Sequence, residues 1–215
     1  MLVQSRMSAP AVTITPDTVF REALKVMHYR RFRRLPVVDE SGRLVGIVSE
    51  RDLPHVSSSY APAISVWDLN HLLSSVEIKQ VMTTDVITTT PETPIEDAAR
   101  LMAENKVGGL PVVNEHGHVV GVITETDIFK AFVEMFAGGH PGLRLTLVVP
   151  GGNGVLLKLG EAVSKSGGHV VSVVSFPGES AGERGLVVKV QDANKDQLID
   201  VLQALGSHVV DAREV

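Results

Sequence analysis

The chain has 215 residues, a formal net charge of −5 and a pI near 5.9, a balance that argues against general affinity for nucleic-acid phosphates. It contains no cysteine, which rules out disulfides, thiolate metal ligands and a cysteine nucleophile. The amino terminus, MLVQSRMSAP, has no apolar signal core and no apolar run approaches a membrane span, so a soluble, cytoplasmic chain with no membrane partner is expected. With 44% hydrophobic but only 4% aromatic residues, its cores must be built from Val, Leu, Ile and Ala. The length leaves room for more than one domain.

Residues 11–15 (AVTIT) read as an extended segment ending at Pro16. Thr18 is placed to cap a helix running to about Arg30, with Val19, Ala23, Val26 and Met27 on one face. A basic cluster, HYRRFRR, leads into LPVVDESGRLVGIVSERD at 35–52, and Pro54 and SSSYAP stop that unit. Residues 63–74 (AISVWDLNHLLS) read as a linker helix carrying the only tryptophan, Trp67. Thr93, Pro94 and Glu96 then supply a cap, a proline at the first helical position and a carboxylate at the third. Ile95, Ala98, Ala99 and Met102 line one face of that helix. A second unit, LPVVNEHGHVVGVITETD, follows at 110–127, then an apolar helix at 128–136 and a hinge, AGGHPG, at 137–142.

The two units match without a gap at a constant offset of 75, which holds upstream to Met7 and Met82 and through Pro16 and Pro91. This is a duplication, and each copy reads strand, turn, strand, helix start. Residues 143–215 have a different period. LRLTLVV alternates, with Leu143, Leu145, Leu147 and Val149 on one face. Gly151, Gly152 and Gly154 then open a helix through Val155, Leu159, Ala162 and Val163. Gly167–Gly168 closes that helix, HVVSVVSF and GLVVKV are strands, and Asn194 with Gln197 caps a last helix with Leu198, Val201, Leu202 and Leu205 as its stripe. The order is βαββαβ, the ferredoxin-like split unit. The whole is an α/β (α+β) chain: a first repeat at 1–56, a linker helix at 57–77, a second repeat at 78–137 and a separate domain at 143–215.

The duplicated units resemble the cystathionine-β-synthase (CBS) domain. The residues that carry the likeness are LPVV followed by Gly46-Ile47-Val48-Ser49-Glu50-Arg51-Asp52, and again by Gly121-Val122-Ile123-Thr124-Glu125-Thr126-Asp127. Residues 143–215 resemble an ACT domain, and the whole order is similar to the acetoin-utilisation B-type proteins. The resemblance implies a two-fold module whose two clefts bind adenosine-containing ligands such as AMP, ADP, ATP, S-adenosylmethionine or an NAD-type compound. No metal is expected beyond magnesium accompanying a nucleotide. It implies a regulatory role, with the ACT domain as a second input, an amino-acid site or a homodimer interface.

Physical chemistry gives each residue a task. Asp52 and Asp127 can each accept from two ribose hydroxyls. Ser49 and Thr124 stand at helix starts, where backbone N–H groups favour an anion. The segments around Thr13 and Thr15, and around Thr88 and Thr90, offer backbone groups to the edge of a base. The plainer alternative is that Ser49-x-x-Asp52 and Thr124-x-x-Asp127 are only helix-start patterns, each worth about 1 kcal/mol with no ligand. The copies differ before LPVV, where the first has Arg33 and Arg34 and the second Gly108 and Gly109. By the resemblance, residues there approach the phosphate of a nucleotide held by the other repeat. Arg33 and Arg34 would then face the Thr124–Asp127 site and make it prefer a phosphorylated ligand over adenosine. The alternative is a solvated arginine run at a helix C-terminus.

His116-x-His118 sits in a polar turn without further metal ligands beside it. The 151–154 glycines fit neither GxGxxG nor GK[ST] and read as a tight turn. Glu50 with Asp52, and Glu125 with Asp127, have no nucleophile or metal signal near them, so no catalysis is expected. A non-catalytic regulator that senses an adenine nucleotide is therefore the leading expectation. A dimerisation scaffold with empty clefts is its rival.

Overall fold

The computed structural model describes residues 1–52 and 75–215, and it divides into two compact units, Met1–Ile128 and Phe129–Val215. The sequence-expected linker helix at 63–74, with Trp67, and the stop at Pro54 lie outside the described residues.

In the first unit each repeat contributes one helix and one antiparallel hairpin. The first repeat has α1 (Phe20–Arg30), β1 (Arg34–Val38) and β2 (Leu44–Ser49). The second has α2 (Ile95–Asn105), β3 (Gly109–Val113) and β4 (Val119–Thr124), followed by α3 (Glu125–Met135). Both hairpins carry a bulge one residue before the turn, at Val37/Val38 and at Val112/Val113. The turns are set by one side chain each. Asp39 Oδ1 accepts from the amides of Ser41 (2.9 Å) and Arg43 (3.0 Å), and Asn114 Oδ1 accepts from those of His116 and His118, both at 3.0 Å. Gly42 and Gly117 take the left-handed position at φ 84° and 77°, a conformation that excludes most side chains. Pro36 and Pro111 sit in the first strand of each hairpin, where their carbonyls accept from Ile14 and Thr89 at 3.1 Å, so the missing N–H costs no bond there.

The repeats exchange their lead-in segments. A short 3-10 turn, Val3–Ser5, bonds to the second repeat through Val3 N to Thr93 O (2.9 Å) and Gln4 N to Pro91 O (3.0 Å). Its counterpart Ile78–Gln80 bonds to the first repeat through Ile78 N to Thr18 O and Lys79 N to Pro16 O, both 2.9 Å. Ile78 is fully buried in the core formed by Phe20, Ala23, Met27, Leu35, Val37 and Val48. Val3 is likewise fully buried. Further along, Ser8 bridges Val122 and Thr83 bridges Ile47. A Cβ at Gly46 would stand 2.6 Å from Met82 Sδ and one at Gly121 2.6 Å from Met7 Sδ, so these glycines make room for the crossing methionines. Hydrogen bonds from Leu44 N to Gly117 O (3.1 Å) and Val119 N to Gly42 O (3.2 Å) join the hairpins about the pseudo-two-fold axis.

This exchange corrects the expected helix starts. Neither Thr18 nor Thr93 caps its helix; the cap positions are Val19 and Pro94, without a side-chain bond. The threonine hydroxyls accept instead from the amides of Thr15 and Thr90, at 3.2 and 3.3 Å. The first helical amides are satisfied by backbone from the other copy's lead-in: Phe20 N donates to Val76 O (2.8 Å) and Ile95 N to Met1 O (3.1 Å). A helix end needs acceptors for its first amides, whatever their source.

In the second unit the order β5 (Leu143–Pro150), α4 (Val155–Lys165), β6 (His169–Pro177), β7 (Glu183–Gln191), α5 (Lys195–Ala204), β8 (His208–Glu214) is βαββαβ, as the sequence predicts. The antiparallel sheet runs β6-β7-β5-β8. Leu143, Leu145, Leu147 and Val149 are buried in one core with Leu159, Ala162 and Val163 of α4 and Leu198 and Leu202 of α5. Asn194 caps α5, its side chain accepting from Gln197 N at 3.0 Å. On the opposite sheet face the buried Lys189 donates to Ala137 O at 2.9 Å. No helix among the described residues is long and apolar enough to cross a membrane.

Candidate functional site

The same side-chain arrangement closes both hairpins. At the end of β2, Asp52 Oδ2 accepts from Ser49 N (2.6 Å) and Ser49 Oγ (3.0 Å). At the end of β4, Asp127 Oδ2 accepts from Thr124 N (2.9 Å) and Thr124 Oγ1 (2.6 Å). Asp127 N returns a longer bond to Thr124 Oγ1 at 3.4 Å. The helix-start pattern is thus real, and in each carboxylate it occupies one oxygen, Oδ2. All four residues are half-buried.

The arginines part company. Arg33 is exposed, and its carbonyl accepts from Glu50 N at 3.3 Å. Arg34 lies opposite Ser49 in the first hairpin, yet its Nη1 crosses to the second repeat and donates to Gly109 O at 3.0 Å. Gly109 is the register partner of Thr124. The first repeat therefore delivers a guanidinium to the Thr124–Asp127 corner, whereas at Gly109 the second repeat has no side chain to send back. Glu50, beside Ser49, pairs with His28 at 3.3 Å.

Ile14 and Thr89 bridge Val37 and Val112 in parallel, which places Thr13 and Thr15, and Thr88 and Thr90, on either side of the bridging residue. The hydroxyls of Thr15 and Thr90 are engaged by Thr18 and Thr93, at 3.1 and 3.0 Å. Thr13 and Thr88 are half-buried. His116 and His118 face each other edge-on, with ring centroids 6.2 Å apart. Among the described residues no group of three or more His, Cys, Asp or Glu could hold a metal ion.

Two features escape a sequence reading. Glu125 Oε2 and Arg34 Nη2 flank the same point above Gly108, at 3.0 and 2.9 Å from where its Cβ would be; only the fold brings residue 34 to residue 125. Thr89 Oγ1 is buried without a hydrogen-bond partner. Its counterpart at the 75-residue offset is Ile14, so comparing the copies marks it as polar where the first repeat is apolar.

Residues 3–57 and 78–134 match the CBS domain family, and residues 141–213 match the TTHA0829-like ACT domain. The chain belongs to the CBS domain family, as a tandem pair followed by an ACT-like domain. A CBS domain-containing protein of Dictyostelium discoideum is 33% identical over 63% of this chain and 93% of its own length. Several other curated relatives, enzymes among them, are matched over less than half of their length. The CBS domain pair of protein MJ0100, in complex with 5′-methylthioadenosine and S-adenosyl-L-methionine, is 29% identical with a TM-score of 0.53, over 62% of this chain and 97% of that one. CBSX2 in complex with AMP is 28% identical with a TM-score of 0.54, over 62% and 97%. A putative acetoin utilization protein (AcuB) from Vibrio cholerae is 28% identical with a TM-score of 0.54, over 64% and 93%.

Proposed function

We propose that the chain is a non-catalytic regulatory protein whose CBS pair binds an adenosine-containing ligand, an adenine nucleotide or an S-adenosyl compound. The observation that carries this reading is the doubled Ser/Thr–Asp closure. Each carboxylate caps its own turn through Oδ2, leaving Oδ1 to accept from a ribose hydroxyl. The neighbours that hold AMP, S-adenosylmethionine and methylthioadenosine support the ligand class. Arg34, carried across to Gly109, is placed to meet whatever group the ligand bears on its 5′ carbon, in the Thr124–Asp127 site alone. A ligand that prefers one arrangement of the pair shifts its population by the difference in affinity. The ACT-like domain supplies a second input or a homodimer contact.

The rival is a dimerisation scaffold with empty clefts, favoured by the fact that both caps are complete without a ligand. Calorimetry with AMP, ADP, ATP and S-adenosylmethionine separates the two. Saturable heat with at least one of them is expected, and silence with all four leaves the scaffold.

A further inference from the structure

The position above Gly108 carries two opposite charges. Arg34 Nη2 lies 2.9 Å and Glu125 Oε2 3.0 Å from the point a Cβ would occupy there. Both belong to the Thr124–Asp127 corner: Arg34 is bonded to the register partner of Thr124, and Glu125 opens the helix that Thr124 and Asp127 cap. A phosphate brought to this place gains from the guanidinium but meets the carboxylate as a like charge. An α-amino acid group meets neither objection. Its carboxylate suits the planar guanidinium fork, and its ammonium suits a carboxylate.

Resting on the adenosyl-binding reading, we propose that the Thr124–Asp127 site takes an adenosyl ligand whose 5′ substituent ends in an amino acid. Arg34 receives its carboxylate, Glu125 its ammonium, and Gly108 determines specificity by leaving the berth open. The first repeat cannot form a matching berth. Residue 33 is an arginine where the second copy has Gly108, and Glu50 is drawn to His28 at 3.3 Å. One site per chain therefore carries this preference.

The test is calorimetry on the full chain with S-adenosylhomocysteine, 5′-methylthioadenosine and AMP. The first two are both neutral thioethers at sulfur and differ in the amino-acid arm. S-Adenosylhomocysteine should bind at least tenfold tighter than methylthioadenosine, at one site per chain. Glu125→Gln should erase that advantage, leave methylthioadenosine unchanged and strengthen AMP. Gly108→Ala alters neither charge and displaces only the ends of two flexible side chains, so the protein should fold with the same preference reduced. Equal binding of the two thioethers in wild type, with heat from both, overturns this inference and leaves adenosyl binding standing. A preference that survives Glu125→Gln also overturns it. Absence of heat with all three ligands sinks both.

Discussion

Asp127 is engaged twice over, and the two engagements are separable by measurement. Its Oδ2 closes the turn on Thr124, so Asp127→Ala should lower stability by about 1 kcal/mol whether or not a ligand exists. If Oδ1 holds a ribose diol, the same variant should also lose roughly 1.5–3 kcal/mol of adenosyl-ligand binding. Thermal melting and calorimetry on one protein read the two effects, and unchanged affinity would confine Asp127 to capping. Thr89 is the opposite case, a buried hydroxyl without a partner. Thr89→Val removes that unsatisfied group at nearly constant volume and should stabilise the second repeat by about 1 kcal/mol, seen as a raised urea midpoint. Asp39 gives a pH-dependent prediction. Hydrogen bonds from the Ser41 side chain and the Arg43 backbone hold its pKa below the ordinary 3.8. A carboxyl depressed on folding stabilises the protein above its unfolded value and loses that contribution as pH falls through its folded one. The equivalent residue, Asn114, does not titrate. Below pH 3.8, amide exchange at Ser41 and Arg43 should therefore accelerate while that at His116 and His118 does not.

At the scale of elements, most of the fold is legible in sequence because local signals agree with it. LPVV, the glycine turn and the second apolar run specify each hairpin, and the alternation at 143–149 specifies which face of β5 is buried. The Ser49–Asp52 and Thr124–Asp127 pairs were equally legible, being three residues apart. What sequence could not supply is long-range. Thr18 and Thr93 look like caps, but the real acceptors for α1 and α2 are carbonyls of Val76 and Met1, which no local pattern announces. A trace was present, since Val3 and Ile78 are themselves at the repeat offset. The crossing of Arg34 to Gly109 was implied only by family resemblance. The structural dependence is testable: Ile78→Ala should cost about 2–5 kcal/mol and, although Ile78 precedes the second hairpin, loosen the first repeat. Exchange protection lost around Phe20 and Met27 would confirm it, whereas loss confined to residues 95–124 would contradict it.

For the whole molecule, the ACT-like unit has its own buried core and two open sheet edges, β6 and β8. Edge strands offer unpaired backbone groups to another chain. Deleting 138–215 is therefore expected to weaken self-association in sedimentation experiments; an undiminished dimer would place the contact elsewhere. The exchanged lead-in segments also have a consequence for synthesis on the ribosome. The first repeat has its helix and hairpin in hand once residue 49 has emerged, yet the slot filled by Ile78 stays open until a further 29 residues have been made. Val3, made among the first, must wait for Thr93 and Ile95 before it has anything to bond. Contacts of such long sequence separation slow folding, and neither half can complete its core alone. The nascent pair should thus stay protease-sensitive until the second hairpin is out, then become resistant in one step. Arrested chains ending near residue 60 would be cut as readily as an unfolded polypeptide.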